Sequence, residues 1–272
     1  MVSRGKNGSV FGALAPSRER DQAMLEDTEN IEKTFTQSGM NYDVFKIRDK
    51  TSVDLMVELT GYAELANGNN HYQSFAIFVL SHGDKGQILA ADGQPIAMST
   101  IANTFSTEQH PNLDGKPRVV IFQACLGNKK PEFTTGTLKD DLLKACDEGN
   151  DEENVKQLKS TKEVESDHFT DPIQYIDPIT DEHSIPSADG PDFVFGFATL
   201  PGCTAIRTPE GSPFIKLLMD EIRSDIKYGH PIRKSVIEML QTVNDRMLQD
   251  HCICIQMSTN ISDFERHPSI PK

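Results

Sequence analysis

The sequence predicts an α/β protein built on a doubly wound, mostly parallel sheet, and three observations carry that expectation. The run Phe75–Leu80 is apolar at every position instead of alternating, which is how a strand covered on both faces of a parallel sheet reads. Two further short apolar runs, residues 119–122 and Phe193–Phe197, repeat the pattern. Helix-period stretches and polar loops separate the runs, as a strand–helix alternation requires.

The remaining elements follow in chain order. The segment before residue 21 offers no convincing first strand. Residues 21–38 carry Met24, Ile31 and Phe35 at helical spacing and stop at Gly39, a C-terminal cap. Residues 42–47 read as a short strand. Thr51 or Ser52 caps a second helix, in which Val53, Met56, Val57 and Tyr62 are expected to share the inner face before the loop at 67–70. Residues 88–98, broken by Asp92 and Gly93, predict a small hairpin, and Ser99 caps a short helix ending near Phe105. Farther on, Ser212 occupies an N-cap position with Pro213 as the first helical residue, opening a helix through Phe214, Leu217, Leu218 and Ile222. Residues 232–248 form the last long helix.

Composition narrows the function. The 272 residues hold 27 Lys and Arg against 41 Asp and Glu, a net charge of -14, which excludes a protein whose task is to neutralise phosphate backbones or anionic lipid. A basic partner is easier to host. The longest apolar stretch, Phe75–Leu80, is far shorter than the ~20 residues of a membrane span. The amino-terminal segment has basic residues but no apolar core of a secretory signal, so the chain reads as cytoplasmic, with neither nucleic acid nor membrane as a partner. Five cysteines, an odd and sparse set, fit reduced thiols better than a disulfide framework. Cys252 and Cys254 have no matching ligand pair elsewhere, so no metal site is expected, and no organic cofactor is implied. Gly5, Gly8 and Gly12 lead into no Gly-Lys-Ser/Thr, which disfavours a phosphate loop. Residues 140–190 hold fifteen acidic residues against four lysines, most of the chain's excess charge, and read as an exposed acidic linker.

Ligands of a doubly wound sheet bind outside the carboxyl ends of its strands, so the residues just past each apolar run are the ones to examine. The first run delivers Ser81-His82-Gly83, and the second delivers Gln123-Ala124-Cys125 with Gly127. If these strands are neighbours, an imidazole faces a thiol. A nearby imidazole raises the thiolate fraction and can protonate a leaving amine. That pair is the equipment of a cysteine protease.

An apolar strand ending in Ser-His-Gly, followed 43 residues after the histidine by the cysteine of Gln-Ala-Cys-x-Gly, resembles the caspase signature. The resemblance extends from about Glu29 to Met257. It runs through residues 115–117 before the cysteine strand, residues 197–202, and Arg207 followed by Gly211, Ser212 and Phe214. It implies a caspase-like three-layer fold, with a mostly parallel central sheet of about six strands and helices on both faces. It further implies a large-subunit-like region at 1–139, a cleavable linker at 140–190 and a small-subunit-like region at 191–272. The implied activity is endopeptidase cleavage after aspartate in apoptosis or a related cascade. Cys125 would be the nucleophile and His82 the general acid/base, and the N–H groups of Gly83 and Cys125 would hold the oxyanion. The substrate aspartate would sit between Gln123, Arg207 and a second arginine, either Arg18 or Arg20, and Ile206 would belong to the adjoining P2 pocket. Asp189, Asp167 and Asp151 are the candidate cleavage points in the linker. Implied partners are protein substrates, a second copy or another caspase in a dimer, and an upstream activating protease.

Three positions depart from the family pattern. Leu126 stands where an arginine is usual, Ile206 where an aromatic roofs the P2 pocket, and Pro213 where a tryptophan helps form the P4 side. Losing an aromatic wall forfeits ~1–3 kcal/mol of binding. The departures therefore motivate a second expectation, a catalytically weak or idle homologue that binds and regulates an active caspase.

Overall fold

The computed structural model describes residues 8–14, 21–37, 40, 42–68, 72–128, 192–199, 202–227, 234–249 and 257–258. Strand β1 (Gly8–Leu14) leads to helix α1 (Asp21–Thr36), strand β2 (Tyr42–Arg48), helix α2 (Ser52–Gly68) and strand β3 (Phe75–Leu80). A small antiparallel sheet of β4 (Gly83–Asp84), β5 (Gln87–Leu89) and β6 (Pro95–Ala97) precedes helix α3 (Met98–Asn103). Then come a 3₁₀ turn (Pro111–Leu113), β7 (Arg118–Gln123), β8 (Phe193–Phe197), α4 (Pro213–Lys227), α5 (Val236–Gln249) and β9 (Met257–Ser258).

The main sheet is six-stranded among the described residues, in the order β2-β1-β3-β7-β8-β9. Its first five strands pair parallel, and β9 pairs antiparallel with β8. Strand β3 shows why both faces are covered. Phe75, Ile77 and Val79 pack with α2 and α3, whereas Ala76, Phe78 and Leu80 pack with α1, α4 and α5. Side chains of successive strand residues point to opposite faces, so a strand sandwiched between two helical layers has no polar position left. The uninterrupted apolar run is the direct consequence.

Several sequence expectations require correction. A first strand does exist: β1 lies between β2 and β3, with Gly8 opposite Tyr42 and Leu14 opposite Leu80. Glycines at 8 and 12 weaken the local strand signal, and the parallel neighbours that hold the strand are distant in sequence. In α2 the buried residues are Leu55, Leu59, Ala63 and Ala66, while Val53 and Val57 are 70% and 65% exposed. Met56 and Tyr62 are only partly buried. The two apolar stripes of this helix compete, and the one ending in alanines approaches the sheet more closely. Leu59→Ala is expected to cost ~2–5 kcal/mol and Val57→Ala less than ~0.5 kcal/mol, measured by denaturant unfolding; equal losses would refute this orientation.

Ser99 does not cap α3, which begins one residue earlier, with Ala97 at the cap position and no side-chain cap bond. The hairpin strand runs straight into the helix because the Met98 N–H is taken by the Gly86 carbonyl at 2.9 Å. The last helix starts at Val236 and not at residue 232. Ser235 and Glu238 form a reciprocal capping box there: the Ser235 N–H donates to Glu238 Oε2 at 2.7 Å and the Glu238 N–H to Ser235 Oγ at 3.2 Å. The first helix ends at Thr36, and its expected cap, Gly39, lies outside the described residues. Strand β7 begins on a fully buried charge that periodicity does not show. Arg118 stacks on Phe193 at 4.5 Å and donates to the carbonyls of Leu113 at 3.2 Å and Phe105 at 3.4 Å. Burial pulls its guanidinium down to about 10.

Candidate active site

Strands β3 and β7 are parallel neighbours in register, with Leu80 opposite Gln123. The residues two steps beyond each, His82 and Cys125, therefore leave the sheet side by side at its carboxyl edge. The loops are stitched together by the Ser81 N–H donating to the Gln123 carbonyl at 3.2 Å. On the other side, Ser81 Oγ donates to the Leu89 carbonyl at 2.7 Å and the Leu89 N–H to the His82 carbonyl at 3.0 Å, which hangs the small sheet on the same edge. Gly83 is required for this approach. A Cβ there would lie 2.6 Å from the Cys125 carbonyl oxygen and 2.8 Å from that of Gln87, so any side chain would force the two loops apart.

A third segment, Ala205 to Arg207, crosses the same edge. The Ala205 N–H donates to Cys125 Sγ at 3.2 Å. Gln123, fully buried, donates from Nε2 to the Ile206 carbonyl at 3.2 Å. Arg207, 8% exposed, donates from Nη2 to the carbonyls of Ser81 at 2.7 Å and Gln123 at 3.1 Å. One guanidinium thus bridges the ends of β3 and β7. Cys125 is 1% exposed and belongs to the buried cluster beneath α4, whereas His82 is half-buried at the rim.

The structure thus gathers His82, Gly83, Gln123, Cys125, Ile206 and Arg207 at one edge. Leu126 is buried on the opposite face of the sheet, and Pro213 is the first residue of α4. Arg18, Arg20, Asp151, Asp167, Asp189, Cys252 and Cys254 lie outside the described residues. Among the described residues no group of three His, Cys, Asp or Glu could hold a metal ion, and no helix is long and apolar enough to cross a membrane.

Sequence reasoning singled out Ser212 as a cap but missed Asp27, whose carboxylate receives that serine's N–H at 2.8 Å and its hydroxyl at 2.5 Å. An aspartate inside an amphipathic helix carries no motif that would mark it. Burial pushes its carboxyl from 3.8 up to about 6, against the Ser212 hydrogen bonds and the Arg207 charge, which favour ionisation. A raised carboxyl pKa means that the folded state binds the proton more tightly than the unfolded chain. The resulting stability is complete below about pH 4 and is lost as pH rises through about 6. Two pK units correspond to ~3 kcal/mol. Unfolding of wild type and Asp27→Asn from pH 4 to 7 should show the wild type losing up to ~3 kcal/mol relative to the variant. A constant difference would overturn this assignment.

Comparison with known proteins identifies the family. A caspase-domain family model matches residues 17–267. The chain is 28% identical to mouse caspase-8 over 207 residues, covering 76% of this chain and 36% of that protein. It is 27% identical to chicken caspase-7 over 222 residues, covering 80% and 57%, and 26% identical to the Drosophila caspase drICE over 247 residues, covering 90% and 59%. The chain therefore spans between about a third and three-fifths of the length of these relatives. With the family model matching nearly its whole length and its histidine and cysteine loops side by side on one sheet edge, the chain belongs to the caspase domain family.

Proposed function

We propose that the chain is a cysteine endopeptidase that cleaves after aspartate, acting in apoptosis or a related proteolytic cascade. The observation that carries this reading is the in-register pairing of β3 and β7, which brings His82-Gly83 against Ala124-Cys125. In the proposed reaction the Cys125 thiolate attacks the scissile carbonyl and forms a C–S bond. The oxyanion is received by the N–H groups of Gly83 and Cys125, and His82 protonates the departing amine as the C–N bond breaks. Water, deprotonated through His82, then releases the acyl group and restores the thiol. Arg207 and Gln123 receive the substrate's aspartate carboxylate, since a guanidinium fork matches a carboxylate and an ammonium does not. Ile206, whose carbonyl holds Gln123, would line the neighbouring P2 pocket.

Arg18 or Arg20 would supply the second guanidinium. They stand four and six residues beyond Leu14, whose register partner is Leu80, so an extended chain reaches at most ~14 or ~21 Å from that point. We further propose the division into residues 1–139, a linker at 140–190 and residues 191–272, with cleavage at Asp189, Asp167 or Asp151 by an upstream protease. The parallel pairing of β7 with β8, which flank that linker, supports it: both halves contribute to one sheet and would stay joined after a cut. Dimerisation with a second copy or another caspase, and a cytoplasmic setting, complete the proposal.

The burial of Cys125, with its sulfur accepting the Ala205 N–H, favours a second reading: an idle homologue that regulates an active caspase. Leu126, Ile206 and Pro213 point the same way. An irreversible aspartyl-ketone probe separates the two. Covalent labelling mapped to Cys125 by mass spectrometry supports the protease, and absence of labelling in folded, processed protein sinks it and leaves the regulator.

A further inference from the structure

Arg207 reaches the ends of β3 and β7 from a segment whose far end is held by a different helix. Between Arg207 and α4 the chain makes one tight turn, in which the Thr208 N–H donates to the Gly211 carbonyl at 3.1 Å and the Gly211 N–H to the Thr208 carbonyl at 2.9 Å. Thr208 Oγ1 adds a third bond to the Gly211 carbonyl at 2.8 Å. Thr208 and Gly211 are thus cross-linked, and Arg207 is bonded directly to one of them. The other end of the turn is clamped by Asp27, 2% exposed on α1, through both the N–H and the hydroxyl of Ser212.

Gly211 makes this clamp possible. Its φ is +100°, a backbone conformation that L side chains rarely adopt, and a Cβ there would lie 2.8 Å from Asp27 Oδ1. The carboxylate occupies the space that a side chain would need. Ser212 also starts α4, its carbonyl accepting the Lys216 N–H at 2.9 Å, so Asp27 sits where helix-end N–H groups favour negative charge. A neutral cap would hold the helix start without burying a carboxyl group. The Arg207 charge acts on the Asp27 carboxyl, so clamp and guanidinium are electrostatically linked.

We propose that Asp27 is a positioning residue for Arg207: by clamping Ser212 and the 208–211 turn, it holds the guanidinium over the Ser81 and Gln123 carbonyls and thereby sets the site's affinity for a substrate carboxylate. This rests on the reading of Arg207 as the carboxylate receptor. Asp27 touches no reacting atom, so its loss should act on KM and leave kcat nearly unchanged.

The test uses the full chain as wild type, Asp27→Ala, Asp27→Asn and Ser212→Ala. Each is read by inactivation rates with an aspartyl-ketone probe and with neutral iodoacetamide, and by KM and kcat on an aspartyl peptide. Asp27→Ala is expected to slow the aspartyl ketone and raise KM about tenfold, with kcat within about threefold and the iodoacetamide rate unchanged. Ser212→Ala should give a smaller change of the same kind, and it carries the test if Asp27→Ala does not fold. Asp27→Asn should recover most of the loss, because its amide can accept the Ser212 N–H and donate to the hydroxyl. The inference is overturned if the alanine variants that fold react with the aspartyl ketone at the wild-type rate, or if both reagents slow equally. A wild type that never reacts with the aspartyl ketone would instead refute the protease reading, and this inference with it.

Discussion

If the chain is the proposed protease, Cys125→Ala is expected to abolish cleavage of aspartyl peptides, with a fall in kcat of ~10⁴-fold or more, because the proposed acyl transfer cannot start without the thiolate. The geometry makes this variant a clean test. The side chain is buried and its sulfur accepts one N–H, so trading it for a methyl group leaves a small void worth ~1 kcal/mol. Unfolding should show a modest loss of stability with the fold retained. Measuring turnover and unfolding on the same preparation separates lost chemistry from lost structure. Substantial residual cleavage would mean that another group is the nucleophile. A function that survives intact in this variant would identify the chain as a regulator.

Arg207→Lys is expected to lower kcat/KM on aspartyl peptides by ~10²- to 10⁴-fold while leaving peptides with an uncharged residue at the cleavage point almost unaffected. Hydrogen bonds to charged groups contribute ~1.5–3 kcal/mol each, and losing a two-pronged contact corresponds to that range of rate. Lysine keeps the positive charge, so long-range attraction of an acidic substrate persists and the loss reports on geometry. The wild-type guanidinium also donates to the carbonyls of Ser81 and Gln123. The variant should therefore lose ~1–3 kcal/mol of stability as well. Rates on matched peptides with aspartate or asparagine at the cleavage point provide the check. Undiminished preference for aspartate would remove Arg207 as the carboxylate receptor.

Much of this site was legible in the residues. An apolar run buried on both faces announces a central parallel strand whatever surrounds it, and Ser81-His82-Gly83 and Gln123-Ala124-Cys125 carry their chemistry in adjacent letters. Strand β1 was not legible, since Gly8 and Gly12 erase its local propensity and its pairing partners begin at Tyr42 and Phe75. The inner face of α2 is not legible locally, because Val53 and Val57 make as good an apolar stripe as Leu55 and Leu59, and only contact with the sheet chooses between them. Arg118 and Asp27 were missed for a shared reason. A buried charge is tolerated only where specific partners meet it, and those partners are brought by distant segments: Phe193 and Leu113 for one, Ser212 for the other.

The sequence by itself determined which side chains are available for chemistry and which strands lie in the middle of the sheet, because both depend on residue type and local spacing. The tertiary structure decided which strands are neighbours, which face of each helix turns inward, and which residue, 185 positions away, holds the turn beside Arg207. Those outcomes depend on contacts between segments far apart along the chain, and hydrogen-bond register and close packing select them only once the segments have met.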